Sequence, residues 1–406
     1  MRLLFICTHP DQTTGYSKVV YNIAKELGKY PQIECTIFGI QNFTSVNKHC
    51  RSNIPKNVHV WDVCQEDKED FGFGTQSLAK FILINNPDII MIYNDAEVVK
   101  KYIMNIIMIG ANPQFISMIK KPIKLVAYLD QVHKNQNSNT LKYIADNVNH
   151  VFCFTEKWKH NYLGFLDNYI QYNMKTSVVR HGIDFIKMPK SIKEYKQDLK
   201  LPQDSFIFIN LNRYAVKKRL DISITAFVKF LKQTKATNAY LVFPSISDET
   251  QFNKLKSIYN YELFIHNLNE FQSNLIVRNE ILTDNDINKY YYVSDVGLNS
   301  CDGEGFGLCN YEHASFGRPQ IVSKVGGLTD FFSEQNSLVC EPKYTSYSTD
   351  IEYGEVISSD DMAECMSKYF LQKPLYNKHA DLMKEIPKIY KWETEVGNMV
   401  NVLLKL

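Results

Sequence analysis

Residues 295–316 read DVGLNSCDGEGFGLCNYEHASF: an apolar run, a turn holding three glycines, and the start of an amphipathic helix. Gly303, Gly305 and Gly307 let a backbone approach closely, and the free N–H groups of a helix start favour an anion. Two acids, Glu304 and Glu312, stand eight positions apart around this turn. No catalytic His/Asp pair and no metal-ligand set accompanies them. A strand that turns over glycine into a helix is half of a βαβ unit, and the fold follows from how often the chain repeats it.

It repeats along nearly the whole length. RLLFIC (2–7) precedes a helical pattern over 16–28, and CTIFGI, DIIMIY, KLVAYL and HVFCFT follow, each ahead of a helical pattern. After a polar, Lys-rich stretch over 181–204 the alternation restarts with SFIFINL and continues through AYLVFP, NLIV, DVGLNS and RPQIVS. Such alternation predicts parallel sheets in an α/β protein. At 406 residues, two domains are expected. The pattern predicts a first Rossmann-like domain over 1–185, a linker over 186–204, a second over 205–385, and a final helix over 386–406. Two doubly wound domains are expected to face a central cleft, with ligands at the strand C-termini.

Composition narrows the function classes. Charged residues are 22% and the net charge is +2, so nucleic acid is not expected as a partner. The nine cysteines include no Cys-x-x-Cys pair, and Cys7, Cys35, Cys153 and Cys340 sit in apolar runs. That usage predicts a reducing compartment, hence a cytoplasmic location, and no zinc. The first residues, MRLLFICTHPDQ, read as a strand rather than a signal peptide. No transmembrane segment is expected. The stretch ISMIKKPIK (116–124) reads as a solvated helix end, with peripheral contact to an anionic membrane as the alternative.

Candidate chemistry lies on loops after strands. The loop after FINLNR brings Arg213, Lys217, Lys218 and Arg219 to a helix start, a plausible diphosphate clamp. Lys217 alone reads as a solvated lysine, whereas Arg213 ends an apolar strand at the cleft edge. At 1.5 Å rise per residue, Glu304 and Glu312 would lie roughly 10–12 Å apart, about the reach of a sugar–diphosphate–ribose unit. On spacing alone, two surface glutamates explain them as well. Gly15 opens a helix after the first strand, as an ordinary cap or a phosphate contact. Asp130 and His133 follow KLVAYL, where a lone histidine is commonly just solvated. Asp284 and Asp286 in TDNDINKYY suggest a metal-binding acid pair, but at a helix start they read as capping groups.

Taken in order, these pieces resemble the family 4 retaining glycosyltransferases of GT-B fold. The likeness rests on NLNRYAVKKRLDISITAF (210–227) and on SCDGEGFGLCNYEHASFGRPQIVSKVGG (300–327). The latter matches the family's Glu-x7-Glu motif with its Gly-Phe-Gly, Gly-x-Pro and Gly-Gly elements. TTGYSKVVYNIAKEL, VVRHGID and the Trp392 helix match more loosely, and the whole is most similar to enzymes of large algal DNA viruses. The resemblance implies a nucleoside diphosphate sugar donor, GDP-mannose being favoured, no metal or other cofactor, and a glycan, lipid or protein acceptor. It implies Arg213 and Lys218 on the diphosphate, Glu304 on the transferred sugar and Glu312 on the ribose. Gly15, Gly305 and the amides of Phe306, Gly307 and Leu308 would line the phosphates, with Arg278 and Asn279 beside the base. Asp130 stands where many members carry a histidine against the sugar, and His181 replaces a common asparagine. The resemblance also implies that the last helix crosses back to the first domain. A nucleotide-sugar epimerase and a non-catalytic nucleotide-sugar-binding protein are the alternatives.

Overall fold

The computed structural model describes residues 1–43, 51, 53–66, 70–119, 121–184, 186–347 and 353–406. The chain forms two compact units. One holds Met1–Gln131, Gln136–Gly182 and Tyr390–Leu406, and the other Val132–Asn135 and Ile183–Ile389.

The first unit is built on seven strands: β1 (Arg2–Thr8), β2 (Glu34–Ile40), β3 (Val58–Asp62), β4 (Ile89–Asp95), β5 (Lys124–Asp130), β6 (His150–Cys153) and β7 (Thr176–Val178). They pair in parallel in the order β3-β2-β1-β4-β5-β6-β7. The central strands are buried on both faces, which is why they read as continuous apolar runs rather than alternating ones. Leu3 to Cys7 are each at most 1% exposed. The final helix, Trp392–Leu403, packs in this unit against the helix Gly15–Leu27. Trp392 stacks on His181 with ring centres 5.9 Å apart, and Glu395 accepts the Arg180 amide at 2.8 Å. Gly182 must be glycine here, since a Cβ would lie 2.1 Å from the Trp392 nitrogen.

The second unit repeats the plan with β8 (Phe206–Ile209), β9 (Ala239–Phe243), β10 (Leu275–Val277), β11 (Val296–Asn299), β12 (Gln320–Ser323) and β13 (Leu338–Cys340), ordered β10-β9-β8-β11-β12-β13. Its core joins Phe208, Phe227, Phe230, Leu241 and Ile321 to Met362 and Met366 of the helix Ser359–Leu371. In both sheets the strand order reverses beside the first strand, between β1 and β4 and between β8 and β11. Ligands bind at such switch points in doubly wound sheets.

Two features depart from the sequence reading. The stretch expected as a linker contains a helix, Ile192–Asp198, started by a capping box between Ser191 and Glu194 and packed on the helix Asp284–Val293. An antiparallel hairpin of β14 (Pro342–Tyr347) and β15 (Tyr353–Ile357) follows β13. The eight described cysteines form no disulfide with one another, and Cys50 lies outside the described residues. Among the described residues, no helix is long and apolar enough to cross a membrane.

Candidate functional site

The loop after β8 and the loop after β11 flank the second unit's switch point, and they meet. Lys218 Nζ lies 2.6 Å from Glu304 Oε2, with the two side chains 11% and 12% exposed. Asn299, the last residue of β11, donates to the same oxygen at 3.2 Å. No described residue hydrogen-bonds Oε1 of Glu304. Burial alone would push the Glu304 carboxyl up, but the Lys218 ammonium and the hydrogen bonds from Lys218 and Asn299 hold it below its ordinary value. Burial likewise opposes the Lys218 charge, and Glu304 overcomes it, raising Lys218 above the usual lysine range. Each charge keeps the other ionised.

The backbone around Glu304 is held by close approach. Gly327 donates to the Glu304 carbonyl at 3.0 Å, and a Cβ on Gly326 would lie 2.0 Å from that carbonyl oxygen. Gly326 also has φ +50°, a second reason for glycine there. The neighbouring Asp302 ties three segments together. Its amide donates to the Lys217 carbonyl at 2.9 Å, its carbonyl accepts the Glu355 amide at 2.8 Å, and Ser346 Oγ donates to its Oδ2 at 2.8 Å. His133, from the Val132–Asn135 segment that clusters with this unit, brings Nε2 to 3.8 Å from Asp302 Oδ1. Neither the role of Asp302 nor the hairpin that grips it was visible in the sequence, because Ser346 and Glu355 stand over forty positions away.

The other expected residues fall as follows. Arg213 is exposed and has no ion-pair or hydrogen-bond partner among the described residues. Arg219 is not a free member of the cation cluster; it forms a two-pronged ion pair with Asp221 at 3.1 and 2.9 Å. Gly307, at φ +87°, precedes the helix Leu308–Ala314, which starts without a side-chain cap. That helix has only seven residues, so its contribution is local N–H groups rather than a long dipole. Gly305 joins the close contact through its carbonyl, 2.1 Å from where a Gly327 Cβ would sit. The Phe306 ring is buried against Tyr311 and Phe331. Glu312 is half-buried beside Tyr291, whose phenol is pushed well up, first by burial and then by Cys309 and Glu312. The Arg278 guanidinium donates to the carbonyls of Leu199 and Lys200, and Asn279 is exposed. Thr283 caps the helix Asp284–Val293, with Asp286 closing back onto it at 2.7 Å, so this acid serves the helix start.

In the first unit, Asp130 ends β5 and accepts the Tyr16 hydroxyl. Burial first, then the Asp130 charge, pushes the Tyr16 phenol well above its usual value. A Cβ on Gly15 would meet nothing within 4 Å, so the fold itself does not demand glycine there. An apolar cavity of about 500 Å³, lined by Ile82, Ile106, Phe115, Ile116 and Ile119, opens beside the residues leading into β5. It lies at the opposite strand end from the switch point. Ile116 and Met118, of the stretch weighed for membrane contact, are over half exposed, and Lys120 lies outside the described residues.

Residues 191–370, which contain this site, match the family model "Glycosyl transferases group 1". No curated protein matches the sequence. Solved structures match over essentially the whole chain. Anabaena Alr3699/HepE in complex with UDP-glucose has a TM-score of 0.71 at 15% identity, covering all of both chains. Sucrose-phosphate synthase (tll1590) from Thermosynechococcus elongatus has 0.71 at 14%, covering 100% of this chain and 98% of the other. WaaG, a glycosyltransferase involved in lipopolysaccharide biosynthesis, has 0.68 at 13%, covering 98% and 99%. At such identities the likeness shows the fold: GT-B, with two Rossmann-like domains.

Proposed function

We propose that this chain, which carries a group 1 glycosyltransferase domain, is a retaining, metal-independent glycosyltransferase using a nucleoside diphosphate sugar. The observation that supports this reading most is the Lys218–Glu304 pair at the β8/β11 switch point. A cation held ionised there suits the charge that grows on a departing diphosphate. A carboxylate whose protein donors both meet one oxygen can offer the other to a sugar hydroxyl. Exposed Arg213, without a partner among the described residues, adds a second cation on the same loop, and the start at Gly307 and Leu308, which has no side-chain cap, adds amide donors. Glu312, half-buried on the following helix, is the candidate for the ribose, and Arg278 and Asn279 for the base.

Transfer on the face from which the leaving group departs lets a phosphate oxygen take the acceptor proton. No dedicated protein base is then needed. GDP-mannose, favoured by the motif resemblance, and UDP-glucose, bound by the Alr3699/HepE protein, are the donors to compare first. The acceptor is a glycan, a lipid or a protein-linked sugar. The test is turnover of a nucleotide-sugar panel with and without EDTA, reading the anomer of the product by NMR. A retained anomer and undiminished rates in EDTA are expected. Inversion, or complete loss of rate in EDTA, would overturn the respective part of the reading.

A further inference from the structure

Behind Glu304 runs a line of polar side chains in a place that should be apolar. Asn299, Asn310, His313 and Gln320 are 0%, 3%, 1% and 0% exposed, between the helix Leu308–Ala314 and strands β11 and β12. They are joined end to end. Asn299 Nδ2 donates to Asn310 Oδ1 at 2.9 Å, Asn310 Nδ2 to Gln320 Oε1 at 2.9 Å, and Gln320 Nε2 to His313 Nδ1 at 3.0 Å. The second hydrogen of Gln320 goes to the Arg318 carbonyl at 2.8 Å, and Asn299 Oδ1 accepts the Cys301 amide at 3.1 Å. The fold makes room for this line: a Cβ on Gly297 would lie 2.1 Å from Gln320 Oε1 and 2.5 Å from His313 Nδ1. Burying such groups is unfavourable unless they are linked; here the links run in one sense, and His313 Nε2 alone of the line has no partner among the described residues.

That sense is fixed at both ends. At the far end, the Arg318 carbonyl takes one Gln320 hydrogen, which fixes the Gln320 amino group toward His313, so Nδ1 accepts. Burial, and then Arg318, depress the His313 pKa to about 3, so the ring stays neutral and can accept there. At the near end, the Cys301 amide holds the Asn299 oxygen, which turns the Asn299 amino group toward Glu304. Reversing any amide would set two donors or two acceptors against each other along the line.

We infer that Asn299 is a positioning residue for Glu304: anchored through Asn310, Gln320 and His313, it keeps an N–H on Oε2 when Lys218 turns to the diphosphate. This rests on the donor-site reading above. Without a donor, Glu304 has two partners on Oε2. Once a diphosphate competes for Lys218, the relay is the partner that remains, and it leaves Oε1 to the sugar. The groups that also face Glu304 are Lys217 on the β8 loop, Cys301 on its own loop and Cys309 on the helix; Asp302 in turn faces Cys301, with His133 against it.

The experiment compares the full-length wild type with Asn299→Ala in two ways. Calorimetry gives the affinities for UDP-glucose against UDP and GDP-mannose against GDP, and carboxyl ¹³C NMR, assigned with Glu304→Gln, follows the Glu304 titration with and without nucleoside diphosphate. Loss of a hydrogen bond to a charge predicts a fall of about ten- to a hundredfold in sugar-dependent affinity relative to the diphosphate alone. It also predicts an upward move of the Glu304 titration that is larger with diphosphate bound. An unchanged titration overturns the inference, as does a parallel loss of both affinities with the titration unmoved, the mark of a merely structural role. Asn310→Leu, which removes only the anchor, should move both readouts the same way by less, and it decides the matter if Asn299→Ala does not fold. A wild type that binds neither nucleotide sugar counts against the donor-site reading, while the NMR titration still decides for or against Asn299.

Discussion

The two switch points of this molecule share a topology and differ in chemistry. At β8/β11, a buried lysine and glutamate meet, and the helix that follows starts on Gly307 with no side-chain cap. At β1/β4, the helix Gly15–Leu27 starts with a complete capping box between Thr14 and Ser17, and buried Arg51 donates to Ser17 Oγ at 2.9 Å and to the Gln12 carbonyl. The first unit has already satisfied part of its helix start and spent its nearby cation on its own backbone. Its Asp130 accepts the Tyr16 hydroxyl. Doubly wound topology thus offers a ligand position in each sheet, and the capping and pairing residues decide which can take a diphosphate.

The sharpest way to break this contrast is Lys218→Ala. It should lower turnover by about a hundred- to a thousandfold and strip a buried carboxylate of its cation, costing about 3 kcal/mol in denaturant unfolding. Unchanged turnover would place the diphosphate elsewhere. Next, Gly326→Ala drives a Cβ into the Glu304 carbonyl at a positive φ and should cost about 2–3 kcal/mol. A lesser effect would show that the Glu304 loop tolerates displacement.

A pH effect sharpens the contrast from the other side. Burial depresses His181 to about 3, well below its unfolded value. A depressed pKa contributes stability that is present above pH 6.5 and lost as pH falls toward 3. From pH 7 to pH 5 this one group should cost about 2 kcal/mol, and His181→Phe, which keeps an aromatic ring on Trp392, should remove that part of the acid loss. The Glu304 carboxyl acts in the same direction: held below its ordinary value, it contributes stability that is full above that value and is lost as pH falls from there through the lower folded one. Smallest of all is Gly15→Ala. With nothing within 4 Å of the new methyl, unfolding should change by less than about 0.5 kcal/mol, so any larger loss of donor affinity would report a ligand at the first unit's helix start.

Much of this was legible in the sequence, for reasons that also explain what was not. Central parallel strands buried on both faces, such as β1, β5 and β8, announce themselves as apolar runs. Edge strands do not: β3 alternates with exposed residues, and β7 and β13 have three residues each. β14 is mostly polar or exposed and is recognisable only from its pairing with β15. The helix inside the expected linker did carry a signal, the Ser191–Glu194 box, in a stretch whose lysines and prolines masked it. Lys218 and Glu304 stand in a spaced motif that the sequence displays. Asn299, Asn310, His313 and Gln320 carry no such signal, since a polar residue inside a strand or helix pattern reads as a surface position until its neighbours are known. Arg219 reads as a free cation because sequence spacing does not reveal that Asp221 turns back to hold it.

In the proposed function the β8/β11 crevice holds a nucleoside diphosphate, and a crystal soaked with UDP and, separately, with GDP is the decisive experiment. Diphosphate density against Lys218 and the Gly307–Leu308 amides, with Glu304 Oε1 left open, is the predicted result. A nucleotide seated away from Lys218, with the Lys218–Glu304 pair undisturbed, would contradict it.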